Sequence, residues 1–120
     1  MDKLLIADDN PGVRKMLYQA LWDEDRDFVL AADGDSALRL ARRERPDLVI
    51  LDQRMPGRDG LAVCGALRAD ESTADILVLM LTGAGEELDA RAVGADAYIA
   101  KPFNLRELDE RVREMLGRRA

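Results

Sequence analysis

A chain of 120 residues, 48% hydrophobic and 35% charged, can build one domain around a real core, and this composition excludes disorder. A net charge of −6 with no histidine disfavours nonspecific nucleic-acid binding and excludes histidine triads and histidine-ligated zinc. The longest apolar run, Ile76 to Leu81, is too short to span a membrane; the first residues lack a signal-peptide pattern and lone Cys64 forms no internal disulfide, so a cytoplasmic protein is expected.

Leu4 to Ala7 reads as a first buried strand that ends on Asp8-Asp9. Asn10-Pro11 has the form of an N-cap followed by proline at the first helical position. Val13, Leu17, Ala20 and Leu21 then recur at helical spacing, so helix one runs to about Trp22. Phe28 to Ala31 is a second strand, and Asp33-Gly34-Asp35 turns into a second helix that stops before Pro46. Asp47 to Asp52 is the third strand; its four aliphatics, Leu48 to Leu51, suit burial on both faces, and Asp52 falls where it leaves the core. A turn-rich segment, Gln53 to Gly60, leads into a third helix from Gly60 to Ala69, with Leu61, Cys64 and Leu67 on one face. Cys64 in that setting is expected to be a packed thiol.

Ile76 to Leu81 is the fourth strand, ending on Thr82-Gly83, and Glu86 to Val93 a short fourth helix. Gly94-Ala95-Asp96 returns the chain to a brief fifth strand, Ala97 to Ala100, which ends on Lys101-Pro102. Leu105, Leu108, Val112 and Leu116 mark an amphipathic last helix. Five alternating strand–helix units predict an α/β, doubly wound, five-stranded parallel sheet with helices on both faces. The alternation does not give strand order.

Parallel strands place their carboxyl ends on one edge, where open α/β sheets carry their chemistry. Asp8, Asp9, Asp52, Thr82 and Lys101 converge there. Singly, an acid after a strand is more often a cap or turn residue, and a lone lysine is usually solvated. Together they are harder to dismiss. Two carboxylates about 4 Å apart repel by roughly 4 kcal/mol at an effective dielectric near 20. Lys101 offsets one charge, and a hard divalent cation such as magnesium suits the remainder. A metal, a lysine and a hydroxyl around one free carboxylate read as phosphoryl transfer onto Asp52.

The chain resembles, over essentially its whole length, the receiver domain of bacterial two-component response regulators, the CheY-like family. The motifs that carry this are Leu5-Ile6-Ala7-Asp8-Asp9, Leu51-Asp52-Gln53-Arg54-Met55-Pro56-Gly57-Arg58-Asp59-Gly60, Leu81-Thr82-Gly83 and Lys101-Pro102-Phe103. The resemblance implies a single receiver domain over 1–120 with flavodoxin-like strand order 2-1-3-4-5 and a cis Lys101–Pro102 bond. Asp52 would be the phosphoacceptor, charged by a sensor histidine kinase or phosphotransfer protein. Asp8, Asp9, Asp52 and the backbone carbonyl of Arg54 would hold Mg2+, with Asp9 favoured as a direct ligand and Asp8 acting partly through water. Thr82 and Lys101 would bind the phosphoryl oxygens, and Tyr98 would be the aromatic that turns inward with Thr82. Such a protein is a switch that catalyses only its own phosphotransfer and dephosphorylation. It would act on an output partner, without direct nucleic-acid or membrane binding, as a monomer or a phosphorylation-dependent dimer.

Other readings remain at this stage. A receiver-like module that binds a partner regardless of phosphorylation is the alternative, and an Asp-nucleophile phosphatase or nucleotide-binding protein a weaker one, for want of a Walker-type loop. Without the family, Tyr98 is a half-buried packing residue, and Tyr18 and Trp22 either pack against the last helix or join a kinase-docking surface. The sequence also departs from the family. Lys101 follows Thr82 by 19 positions, short of the usual receiver spacing by most of a helical turn, with the loss around Ala90-Arg91-Ala92. That puts the usual dimer and output face in question. Arg54 and Ala84 occupy two variable positions beside the site that influence dephosphorylation, with a sign the sequence does not set. The chain stops without an effector segment, as a single-domain regulator or as a piece of a longer one.

Overall fold

In the computed structural model, residues 1–83 and 85–118 are described. The elements run β1 (Asp2–Ala7), α1 (Pro11–Leu21), β2 (Arg26–Ala31), α2 (Gly34–Glu44), β3 (Leu48–Asp52), α3 (Gly60–Ala69), β4 (Leu77–Thr82), α4 (Glu87–Ala92), β5 (Ala97–Ala100) and α5 (Leu105–Arg118). The strands form one sheet in the order β2-β1-β3-β4-β5, and every neighbouring pair is parallel.

The continuous apolar runs follow from that topology. In β3 all five residues are buried, because helices cover both faces. Alternate side chains serve two separate cores. Val49 and Leu51 join Leu5, Met80, Val63 and Leu67 under α2 and α3. Leu48 and Ile50 join Leu4, Ile6, Leu79 and Leu81 under α1 and α5.

The helix starts are set by local chemistry. The Asn10 side chain accepts hydrogen bonds from the Gly12 and Val13 amides at the head of α1, Asp33 accepts from Ser36, and Asp59 accepts from Ala62. Each fills orphan amides of a first turn. Arg45, with φ of 48°, closes α2 in the left-handed region. Helix α4 is the exception: it has six residues, and Glu86 at its N-cap position makes no capping bond. The shortening expected from the spacing is therefore present.

Some boundaries moved. Strand β2 starts at Arg26, because Asp2 and Lys3 extend β1 and pair with Arg26 and Asp27. Tyr18 sets its ring edge-on to Phe28 of β2, with centroids 5.0 Å apart, within the core shared with α5, while Trp22 follows the helix and stays 59% exposed. Cys64 is fully buried, as its neighbours suggested. The Lys101–Pro102 peptide is cis. Among the described residues, no helix is long and apolar enough to cross a membrane.

Behind the site, Arg68 at the end of α3 ties three segments together. Its guanidinium donates to the carbonyls of Ala74, Ile76 and Gly94 and to the Asp96 carboxylate. Asp96 in turn accepts from the Val78 amide.

Candidate functional site

The carboxyl ends of β1, β3 and β4 set a row of polar groups at the edge of the sheet. Asp8 follows β1 directly, and its amide continues the ladder to the Ala31 carbonyl. One carboxylate oxygen of Asp8 accepts from the Asn10 amide at 2.9 Å; the other, Oδ2, is buried without a hydrogen-bond partner. Asp52 is the last residue of β3, paired with Leu81. Gly60 closes the loop behind it: a Cβ there would meet the Asp52 carbonyl oxygen, so glycine lets α3 start against the end of β3.

Asp52 is nearly enclosed, and Lys101 reaches it from beyond β5 with Nζ 2.9 Å from Oδ1. The Arg54 amide donates to the same oxygen at 3.3 Å. The Lys101 amide donates to the Thr82 carbonyl at 2.7 Å, which fixes the lysine's backbone beside β4. Thr82 itself is fully buried, with its hydroxyl oxygen unpartnered.

Asp8, Asp9 and Asp52 each offer an oxygen within 4.8 Å of the others. Three carboxylates at that spacing with one ammonium leave uncompensated negative charge. Burial pushes the Asp8 carboxyl above the usual carboxylate range; the Asn10 amide opposes this, and the Asp52 charge adds to it. An orphaned buried oxygen inside an all-oxygen donor set suits a hard divalent cation.

The Arg54 side chain turns away from this cluster. Its Nε donates to Oε1 of Glu86 at 3.2 Å, and its Nη2 lies 3.2 Å from Oε2. Gln53 donates to the same carboxylate at 2.8 Å. Sequence reasoning missed Glu86 altogether, having read it as the first residue of a helix; its reach across 33 positions to Gln53 has no local signature. Tyr98, by contrast, is not part of the acidic cluster. It pairs with Met80 in the sheet, is half-buried, and borders a groove with Arg91 and Arg111. Ala84 lies outside the described residues.

Comparison with known proteins places these residues in context. Residues 4–113 match the family model described as the response regulator receiver domain. The chain is 41% identical over 121 residues to the DNA-binding dual master transcriptional regulator RpaA of Synechocystis, covering 98% of this chain and 50% of that protein. It spans about half the length of the curated relatives it matches. Among solved structures, the receiver domain of Francisella response regulator 1452 superposes with a TM-score of 0.91 at 27% identity, covering 100% of both chains. The receiver domain of a sensor histidine kinase from Pseudomonas aeruginosa, solved with magnesium coordinated in its active-site cleft, gives 0.83 at 30% identity over 97% of this chain and 98% of that one.

Proposed function

The chain belongs to the response regulator receiver domain family of two-component signalling, and from that premise we propose that Asp52 is its phosphoacceptor. The observation that carries this is the pairing of a nearly buried Asp52 carboxylate with Lys101 Nζ at 2.9 Å, beside the fully buried, unpartnered Thr82 hydroxyl. A buried donor without an acceptor is costly, by about 1–3 kcal/mol, unless a ligand supplies one.

In the step proposed, an Asp52 carboxylate oxygen attacks the phosphorus of a kinase phosphohistidine. The new P–O bond forms as the P–N bond breaks, and the leaving nitrogen keeps the electron pair and is neutralised by a proton. Lys101 offsets charge on the phosphoryl oxygens, and Thr82 donates its hydroxyl to one of them. Asp8, Asp9, Asp52 and the Arg54 carbonyl would hold Mg2+, which when bound neutralises the carboxylates and the incoming phosphoryl charge. Hydrolysis of the acyl phosphate restores Asp52, so the chain would catalyse only its own transfer and dephosphorylation.

The consequence is a two-state switch biased by a new charge near −2. Movement of Thr82 toward the phosphoryl group would open space that Tyr98 enters from the adjacent strand. A sensor histidine kinase or phosphotransfer protein is the upstream partner. Downstream, the DNA-binding character of the RpaA relative supports coupling to a nucleic-acid-binding effector, with this acidic domain as its control element.

Intact-mass spectrometry with magnesium and acetyl phosphate tests the assignment. The wild type should gain one phosphoryl group and Asp52→Asn none. Labelling that persists in Asp52→Asn would refute Asp52 as the acceptor; absence of labelling in both would favour a module that binds its partner independently of phosphorylation.

A further inference from the structure

Glu86 is in an unusual position for the first residue before a helix. Its carboxylate does not cap α4 but folds back over the loop, accepting from Gln53 Nε2 at 2.8 Å and from Arg54 Nε at 3.2 Å, with Arg54 Nη2 3.2 Å from its second oxygen. The backbone makes room for this: a Cβ on Gly83 would meet Glu86 Oε1. The Glu86 side chain is 19% exposed while that of Arg54 is 79% exposed. The carboxylate is thus the enclosed partner, and the guanidinium the solvent-exposed one. All three residues line one open cleft of about 400 Å3 that also includes Asp9.

We propose that Glu86 is a positioning residue that holds the Arg54 guanidinium off the phosphoacceptor site and thereby sets how readily an anionic phosphodonor is captured. This rests on the reading of Asp52 as the acceptor. The donor approaches a mouth already crowded with Asp8, Asp9 and Asp52. Besides Lys101, which is held on Asp52, Arg54 carries a cationic head at that mouth, and its backbone amide already touches Asp52. Glu86 keeps that head occupied and adds a negative charge of its own. Both effects oppose anion entry. When the donor arrives, Arg54 exchanges Glu86 for phosphoryl oxygens, a bidentate geometry it forms equally well, and Glu86 keeps its bond from Gln53 at the end of β3.

The test follows the rate of phosphorylation by acetyl phosphate in magnesium, against donor concentration, for the wild type, Glu86→Gln, Arg54→Ala and the double variant. Glutamine keeps the shape of Glu86 and removes its charge, and thermal unfolding checks that each variant folds. Glu86→Gln should lower the half-saturating donor concentration by roughly 3- to 10-fold at low salt, with little change in the maximal rate, and the gain should shrink at high salt. Arg54→Ala should raise it. In the Arg54→Ala background, Glu86→Gln should gain less than about twofold, because no guanidinium remains to be released. A full gain in that background would overturn the proposal by showing that Glu86 acts as a bare charge. Wild-type kinetics in Glu86→Gln would also overturn it. If the wild type gains no phosphoryl group at all, the phosphoacceptor assignment itself fails, and the two failures are told apart by the wild-type mass.

Discussion

Neutralising Asp8 should make the metal-free protein more stable. Asp8 lies within 4.8 Å of carboxylate oxygens of both Asp9 and Asp52. One such pair repels by about 3.5 kcal/mol at an effective dielectric of 20 and about 0.9 kcal/mol in bulk water. Asp9 is exposed and screened, and Lys101 at 2.9 Å from Asp52 offsets part of the field. The net gain from Asp8→Asn is therefore about 1–3 kcal/mol, or roughly 4–12 °C in melting temperature for a chain of this size. Asparagine keeps the carbonyl oxygen that accepts from the Asn10 amide, and its amide can donate to the facing carboxylates where Oδ2 now has no partner.

The pH dependence gives an internal control. Burial first, with Asp52 adding to it, raises the Asp8 pKa in the folded state, so the folded protein keeps that proton to higher pH than the unfolded chain. The stability linked to it is full below the ordinary carboxylate range, near 4, and is lost as pH rises through the raised value. The advantage of Asp8→Asn should thus be widest near neutral pH and close as the medium is acidified. Thermal unfolding followed by circular dichroism, at low salt with a chelator, measures it. Added magnesium should stabilise the wild type by mass action and the variant less. A variant that melts at or below the wild type near neutral pH would refute the electrostatic account of the site.

Four further substitutions separate structure from chemistry. Thr82→Val removes a buried hydroxyl without a partner and should stabilise by about 1 kcal/mol in urea unfolding; a loss of stability would show that the hydroxyl is satisfied. Arg68→Ala removes donors from three carbonyls and Asp96 and should destabilise by about 2–4 kcal/mol, leaving acyl-phosphate formation intact in the folded fraction; a change under about 1 kcal/mol would count against this tie. Gly60→Ala drives a methyl into the Asp52 carbonyl and should lower both stability, by about 1–3 kcal/mol, and phosphorylation rate. Gly65→Ala, in the same helix with nothing near its Cβ position, should stabilise by about 0.5–1 kcal/mol, and equal melting of the two variants would contradict the close approach.

How much of this was legible in the chain depends on the range over which each signal acts. The strands were readable because a parallel sheet covered on both faces needs unbroken apolar runs, and Leu4 to Ala7 and Leu48 to Leu51 are such runs. Helix α3 was readable to the residue because Asp59 and Gly60 carry its cap and its close approach locally. The carboxyl-end residues Asp8, Asp9, Asp52, Thr82 and Lys101 followed from alternation, since parallel strands leave no choice of edge.

Strand ends were less legible: β2 begins two residues early because its partner strand, and not its own pattern, supplies the pairing at Arg26 and Asp27. Tertiary packing alone determined that Thr82 and Asp8 are left with unpartnered oxygens, and that Glu86 reaches Arg54 instead of capping its helix. Hydrophobic period and capping act within a turn or a strand and can be read from neighbours in sequence. Desolvation and charge pairing depend on what the folded chain excludes from water, which only the completed packing sets.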